Sequence, residues 1–148
     1  MSSVLATTRY PASRFETQQW VDLRDPAEQA RLTPAAVHAM GRLADAWGLS
    51  VAQVCALLGD VSASTWHAWA RKPPRALGVD RLTRVSYLMG IYTALHVLYG
   101  DPLADEWVGL PNSNALFSGE APIDVLVRGG IPALAAVRAL LDARRGGA

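Results

Sequence analysis

The stretch SVAQVCALLGDVSASTWHAW, Ser50 to Trp69, carries two short helical patterns on either side of a glycine. Ser50 is a good N-cap, and Val51, Val54, Cys55 and Leu58 follow at steps of three and four, so they share an inward face. Gly59 suits the left-handed residue that ends a helix. Ser62 or Ser64 then caps a second helix, which runs to about Lys72, where Pro73-Pro74 forbids continuation. Trp66 and Trp69 lie three apart on it and pack inward. Two short helices joined by a glycine-bearing turn make a helix-turn-helix pattern. The second helix of such a unit presents its early side chains to base edges in a major groove. Here those are Ala63, Ser64, Thr65, His67 and Ala68. Arg71 and Lys72 at the helix end suit phosphate contacts, as do Arg75, Arg81 and Arg84. Asp60 departs from the usual turn. It stands between Gly59 and Val61, lengthens the connection and adds a negative charge near where phosphates would lie. A scaffold that keeps this shape without binding DNA is the competing reading.

Working outward, Thr33-Pro34 predicts the start of the preceding helix, since Thr caps and Pro favours the first helical position. Val37, Met40, Leu43, Ala44 and Trp47 line one face of it, and Gly48 stops it. A short helix is expected within residues 14–31, ending before Pro26, and residues 1–13 are expected to be mobile unless a partner orders them. On the other side, Asp80 predicts the cap of the longest helix, to about Tyr99. Leu82, Val85, Leu88, Met89, Tyr92, Leu95 and Tyr99 repeat at helical steps, and Ile91, Ala94 and Leu98 widen the apolar face. That breadth predicts a helix central to the fold and to a homodimer. Asp101-Pro102 opens a short helix ending near Val108, and a loop follows from Gly109 to Gly119. Pro122 opens a helix that closes at Gly129-Gly130. Pro132 opens the last one, which runs into Arg144-Arg145. No stretch alternates with period two, so the fold class is all-α. The chain divides into an extension (1–31), a helix-turn-helix domain with its long helix (32–100) and a small helical module (101–148).

Charge is zoned although the formal net is only +1. Residues 62–85 hold Arg71, Lys72, Arg75, Arg81 and Arg84 against the one acid Asp80. Residues 101–126 hold Asp101, Asp105, Glu106, Glu120 and Asp124 with no base, and residues 128–148 are basic again. Such zoning points to more than one surface with different partners, although ordinary surface charge is the rival account. The lone Cys55 excludes an internal disulfide and fits a reducing compartment. No signal-like or membrane-spanning apolar run is present, so a cytoplasmic location is expected.

Catalytic chemistry finds no purchase. His38, His67 and His96 are far apart and match no metal-ligand spacing. Cys55 has no base near it in sequence. Asp105 and Glu106 are adjacent, and adjacent helical positions do not face each other. Gly129-Gly130 reads as a helix end rather than a phosphate loop. The expectation is a binding protein with no catalytic residues, no metal and no cofactor.

The C-terminal half has the form W…PN…L…G…P…D-x-L…G, carried by Trp107, Pro111-Asn112, Leu116, Gly119, Pro122, Asp124, Leu126 and Gly129. Behind a helix-turn-helix and a long helix, it resembles the Xre/MbcA/ParS antitoxins of bacterial type II toxin–antitoxin pairs, over about residues 33–143. The resemblance implies a RES-domain toxin as partner, an NAD-consuming protein related to ADP-ribosyltransferases. It implies neutralisation by covering the toxin's NAD cleft, and repression of the operon by DNA binding. On that footing the toxin-binding residues are Trp107, Pro111, Asn112, Leu116, Phe117, Arg128, Arg144 and Arg145. Leu116 and Phe117 would serve as apolar anchors, and the Arg144-Arg145 end would reach for a pyrophosphate site. The DNA-binding set is Ser64, Thr65, His67, Arg71 and Lys72. Asp142, Glu120 and Asp124 are rivals for the cleft's own arginines, and residues 1–31 are a rival covering element. The other functional reading is a free-standing repressor whose C-terminal module dimerises or binds a small ligand.

Overall fold

Asp25 accepts a hydrogen bond from the Ala27 amide and sets Pro26 at the first position of a helix, α1 (Pro26–Trp47). The computed structural model describes residues 20–146. After α1 come α2 (Val51–Leu57), α3 (Ala63–Arg71), α4 (Val79–Leu98), α5 (Leu103–Glu106), a 3-10 turn (Trp107–Gly109) and α6 (Pro122–Arg145). Among the described residues there is no strand, and the fold is all-α. Among the described residues no helix is long and apolar enough to cross a membrane.

The start of α1 corrects the reading from sequence. Thr33-Pro34 does not open the helix; Pro34 sits inside it and forgoes only the bond its amide would have given to Ala30. Thr33 has other work. It is fully buried, and its Oγ1 accepts the Leu77 amide at 3.1 Å. One turn earlier, Gln29 Oε1 accepts the Gly78 amide at 3.2 Å, while its Nε2 donates to the Leu23 carbonyl. The first turns of α1 thus satisfy the backbone leading into α4, where an unpaired buried amide would be costly. Residues 20–25 form no helix; the rest of the segment before Pro26 in which a short helix was expected, residues 14–19, lies with residues 1–13 outside the described residues.

Gly48 closes α1 in the left-handed conformation, and Ser50 and Gln53 form a reciprocal capping box at α2. Val54, Cys55, Leu57 and Leu58 are buried. Val51, expected inward, is exposed: it stands in the first turn and rims a groove with Val37, His38 and Trp66 instead. The lengthened turn is accommodated by two consecutive left-handed residues, Gly59 (φ 90°) and Asp60 (φ 60°). Asp tolerates that conformation better than most side chains. Val61 then returns to the core with its amide on the Cys55 carbonyl.

Ser62, not Ser64, caps α3. Gly78 (φ 89°) rather than Asp80 stands at the N-cap of α4, and Asp80 in the first turn binds Arg84 Nε at 2.9 Å. At 20 residues α4 is also shorter than α1, with 22. It is nevertheless the centre of the fold: Leu88, Ile91, Ala94 and Leu95 are wholly buried. Its contacts are with α6 and α1 above all, and with α5 near its end. Most of the apolar breadth of α4 is taken up within the chain, while Met89 and Tyr92 are half-buried and Val97 is exposed.

The break inside α6 falls where the glycine pair and Pro132 place it. Gly130 adopts φ 61°, ψ −151°, between a first half that buries Ile123 and Leu126 and a second half that buries Leu134, Val137 and Leu141. That backbone region is essentially reserved for glycine. Both halves join α1, α2 and α4 in one hydrophobic cluster.

Two substitutions test this architecture. Leu88→Ala is expected to lower unfolding free energy by about 2–5 kcal/mol, through lost transfer energy and a cavity; an unchanged denaturation midpoint contradicts a closed core around α4. Gly130→Ala should cost about 1–3 kcal/mol from backbone strain alone. A parent-like melting curve for that variant would mean that α6 is not bent there.

Candidate functional site

The outward face of α3 is built from its own cap. Ser62 Oγ accepts the Thr65 amide at 3.1 Å and donates to Thr65 Oγ1 at 2.8 Å, which leaves the Thr65 proton free for an outside acceptor. Ala63, Ser64, His67 and Ala68 are exposed and Thr65 half-buried, so the five positions expected to face a groove do face outward. Trp66 is buried on the opposite side. Arg71, Lys72 and Arg75 are exposed at the end of α3 and beyond it. Arg81 and Arg84 differ from the phosphate-facing role expected of them. Arg81 lies 5.5 Å from the Trp69 ring centre, gives Nη1 to the Leu77 carbonyl and has a buried Nε without a partner. Arg84 is largely covered, against Gly59 and Asp80. Both guanidinium groups are packing elements that fix the helix-turn-helix on α4.

A second surface is the loop between the 3-10 turn and α6. Two asparagines wind it. Asn112 Oδ1 accepts the Asn114 amide and Asn114 Oδ1 the Leu116 amide, each at 2.9 Å. The Asn112 backbone pairs with Glu120 and Gly119, closing the loop at its base. The left-handed Ser118 and Gly119 turn the chain back toward α6. Trp107 and Phe117, expected as contact residues, lie in the core: they are 6% and 1% exposed and meet edge to face at 5.6 Å. They hold the loop from below, and the apolar groups left on top are Leu110 and Leu116 beside the exposed Pro111. Asn112 is half-buried because it shapes the turn.

The arginines at this end are mostly engaged within the chain. Arg128 is exposed and pairs with Glu120 at 2.6 Å, a hydrogen bond and opposite charge that raise its pKa further. Arg144 donates to the Tyr99 hydroxyl at 3.3 Å, and Arg145 lies 3.9 Å from Asp142, which Arg138 also holds. The terminal pair is thus unequal, with Arg144 half-buried on α4 and Arg145 exposed. Burial pushes the Cys55 thiol upward, away from the thiolate a nucleophile needs.

One cluster was not visible in the sequence. His96, in the last turn of α4, sets Nε2 2.8 Å from Asp105 and Nδ1 3.6 Å from Asp101, and its ring stacks on Tyr92 at 4.2 Å. The residues are spaced H-x4-D-x3-D; Asp101 and Asp105 are a helical step apart, but the break at Gly100 separates His96 from both. Asp101, Asp105 and Glu106 also face Asp45 of α1 across a surface cleft of about 650 Å³.

Comparison with known proteins divides the chain in two. Residues 27–90 match the family described as the antitoxin Xre-like helix-turn-helix domain. Residues 94–147 match the antitoxin Xre/MbcA/ParS C-terminal toxin-binding domain. The chain is also similar to the uncharacterized protein y4oB of Sinorhizobium fredii, at 34% identity over 123 residues, which is 82% of this chain and 93% of that one.

A double substitution tests α3 as the DNA-reading element. Arg71→Ala with Lys72→Ala should weaken binding to all sequences alike and reduce the slope of log affinity against log salt by about 2, roughly one released counterion per phosphate contact. Thr65→Ala or His67→Ala should instead change sequence preference. Parent-like operator binding by the double variant removes α3 from the interface.

Proposed function

We propose, since this chain belongs to the Xre/MbcA/ParS antitoxin family, that it neutralises a RES-domain, NAD-consuming toxin by closing the toxin's NAD site, and that it represses its own operon through α3. The chain is an antitoxin with a helix-turn-helix and a toxin-binding domain. On this reading its action is binding, with no chemical step of its own. The observation that carries the reading is the form of the matched segment 94–147. That segment closes its own core around Trp107 and Phe117 and still leaves Leu110, Pro111 and Leu116 outward on a braced loop.

Leu110 and Leu116 replace the buried aromatics as the apolar anchors, with Pro111 between them. Arg145 is the arginine best placed to leave the surface, since among the described residues it has just the loose ion pair with Asp142. Arg144 would have to give up Tyr99 first. A guanidinium matches the oxygens that a pyrophosphate-binding cleft is built to hold. The acids Glu120 and Asp142 are already paired to Arg128 and Arg138, which weakens their case as ligands for the cleft's own arginines.

Paired truncations, assayed by growth rescue against the toxin and by co-purification, test the blocking role. The N-terminal cut belongs before residue 20, because Asp25 caps α1 and Gln29 holds the entry to α4. Removing residues 143–148 is expected to weaken rescue while the complex still assembles, and removing residues 1–19 to leave rescue intact. The reverse pattern would transfer the blocking role to the N-terminal segment.

A further inference from the structure

We propose that His96, Asp101 and Asp105 form a binding site for a divalent transition-metal ion of the zinc type, at the corner where α4 passes into α5. One donor atom from each of the three lies within 4.8 Å of the other two. Zinc–nitrogen and zinc–oxygen bonds of about 2.0–2.2 Å put the ligand atoms of a tetrahedral site roughly 3.4 Å apart. The 3.6 Å to Asp101 and the 2.8 Å to Asp105 are measured from different ring nitrogens, Nδ1 and Nε2; an ion on Nε2 opens the hydrogen bond to Asp105 and draws Asp101 round from the Nδ1 side. Asp101 can make that move, because its side chain is 77% exposed. The ion takes one ring nitrogen and replaces the hydrogen bond that this nitrogen makes with its carboxylate.

Three further features favour an ion over a simple His–Asp pair. First, among the described residues no lysine or arginine forms an ion pair with Asp101, Asp105 or Glu106, so the negative charge gathered there is met by His96 alone. Second, the imidazole is held in place by the Tyr92 ring on one face rather than left to turn. Third, Asp101 and Asp105 border the open cleft that Asp45 and Glu106 also line. That cleft supplies an entry path and room for water in the remaining coordination positions. One imidazole with two carboxylates suits zinc, cobalt or nickel better than magnesium or calcium, which take oxygen ligands alone. The ligands come from the end of α4, the turn after it and α5, so a bound ion would clamp the start of the toxin-binding segment to the central helix. None of the three ligands is among the residues assigned to DNA or toxin, although Leu110 lines the same cleft.

The test uses the whole untagged chain, titrated with zinc chloride by calorimetry and with cobalt(II) by visible absorption. One ion per chain is expected. His96→Gln and Asp105→Asn should each weaken zinc binding by about tenfold or more and abolish the cobalt absorption bands. Asp101→Asn, on an exposed side chain that cannot unfold the protein, should weaken it as well. The double variant His38→Gln, His67→Gln should bind like the parent. Failure of the parent to take up zinc at about 1 mM, or equal binding by all three site variants, would mean that the cluster is an ion pair and nothing more.

Discussion

The fold depends on α4 being covered along two flanks at once. Leu88, Ile91, Ala94 and Leu95 have no solvent contact because α1 closes one side and α6 the other. A helix of that composition standing alone would expose several large apolar groups, each costing about 1.5–3 kcal/mol relative to burial. The helix-turn-helix half and the C-terminal half each supply a wall of the core around it. The additional contact of α2 with α6 ties the two halves a second time. The α3 face and the 109–121 loop are consequently fixed at one distance and orientation, and a partner on one surface meets the other surface as part of the same rigid body.

Polar groups settle where the apolar layers meet. Thr33 and Gln29 accept the two amides that lead into α4, which begins at Gly78 with no side-chain cap. Arg81 lies over Trp69, and Arg84 beside Gly59 and within reach of Gly130. Basic residues that look from sequence like phosphate ligands are instead the packing between the helix-turn-helix turn and the bend in α6. The surplus positive charge of residues 62–85 is correspondingly smaller on the outside than it is in the sequence.

The all-α class, the stops at Gly48, Gly59 and Gly129-Gly130, and the outward set on α3 were legible, because each rests on local chemistry: caps, left-handed glycines and the helical period. The start of α1 was misread in favour of Thr33-Pro34, although Asp25-Pro26 with Glu28 carries the same cap signature. Only a tertiary partner, Leu77, explains why Thr33 is buried. Trp107 enters the contact set through the family resemblance and Phe117 as an aromatic in a loop, which looks unpartnered until the loop is seen folded over it. The His96 cluster was illegible for a geometric reason, since the chain reverses at Gly100 and no spacing rule spans a reversal.

The winding of the 109–121 loop has a consequence for association rates and entropy. Six hydrogen bonds involving the Asn112 and Asn114 side chains and backbone fix the loop before any partner arrives. A loose loop would lose about 1–2 kcal/mol per residue in backbone entropy on docking. Here that loss is borne during folding, where the core repays it, and encounter with a partner can proceed as rigid docking. Complex formation should then lack the slow ordering phase of coupled folding and binding.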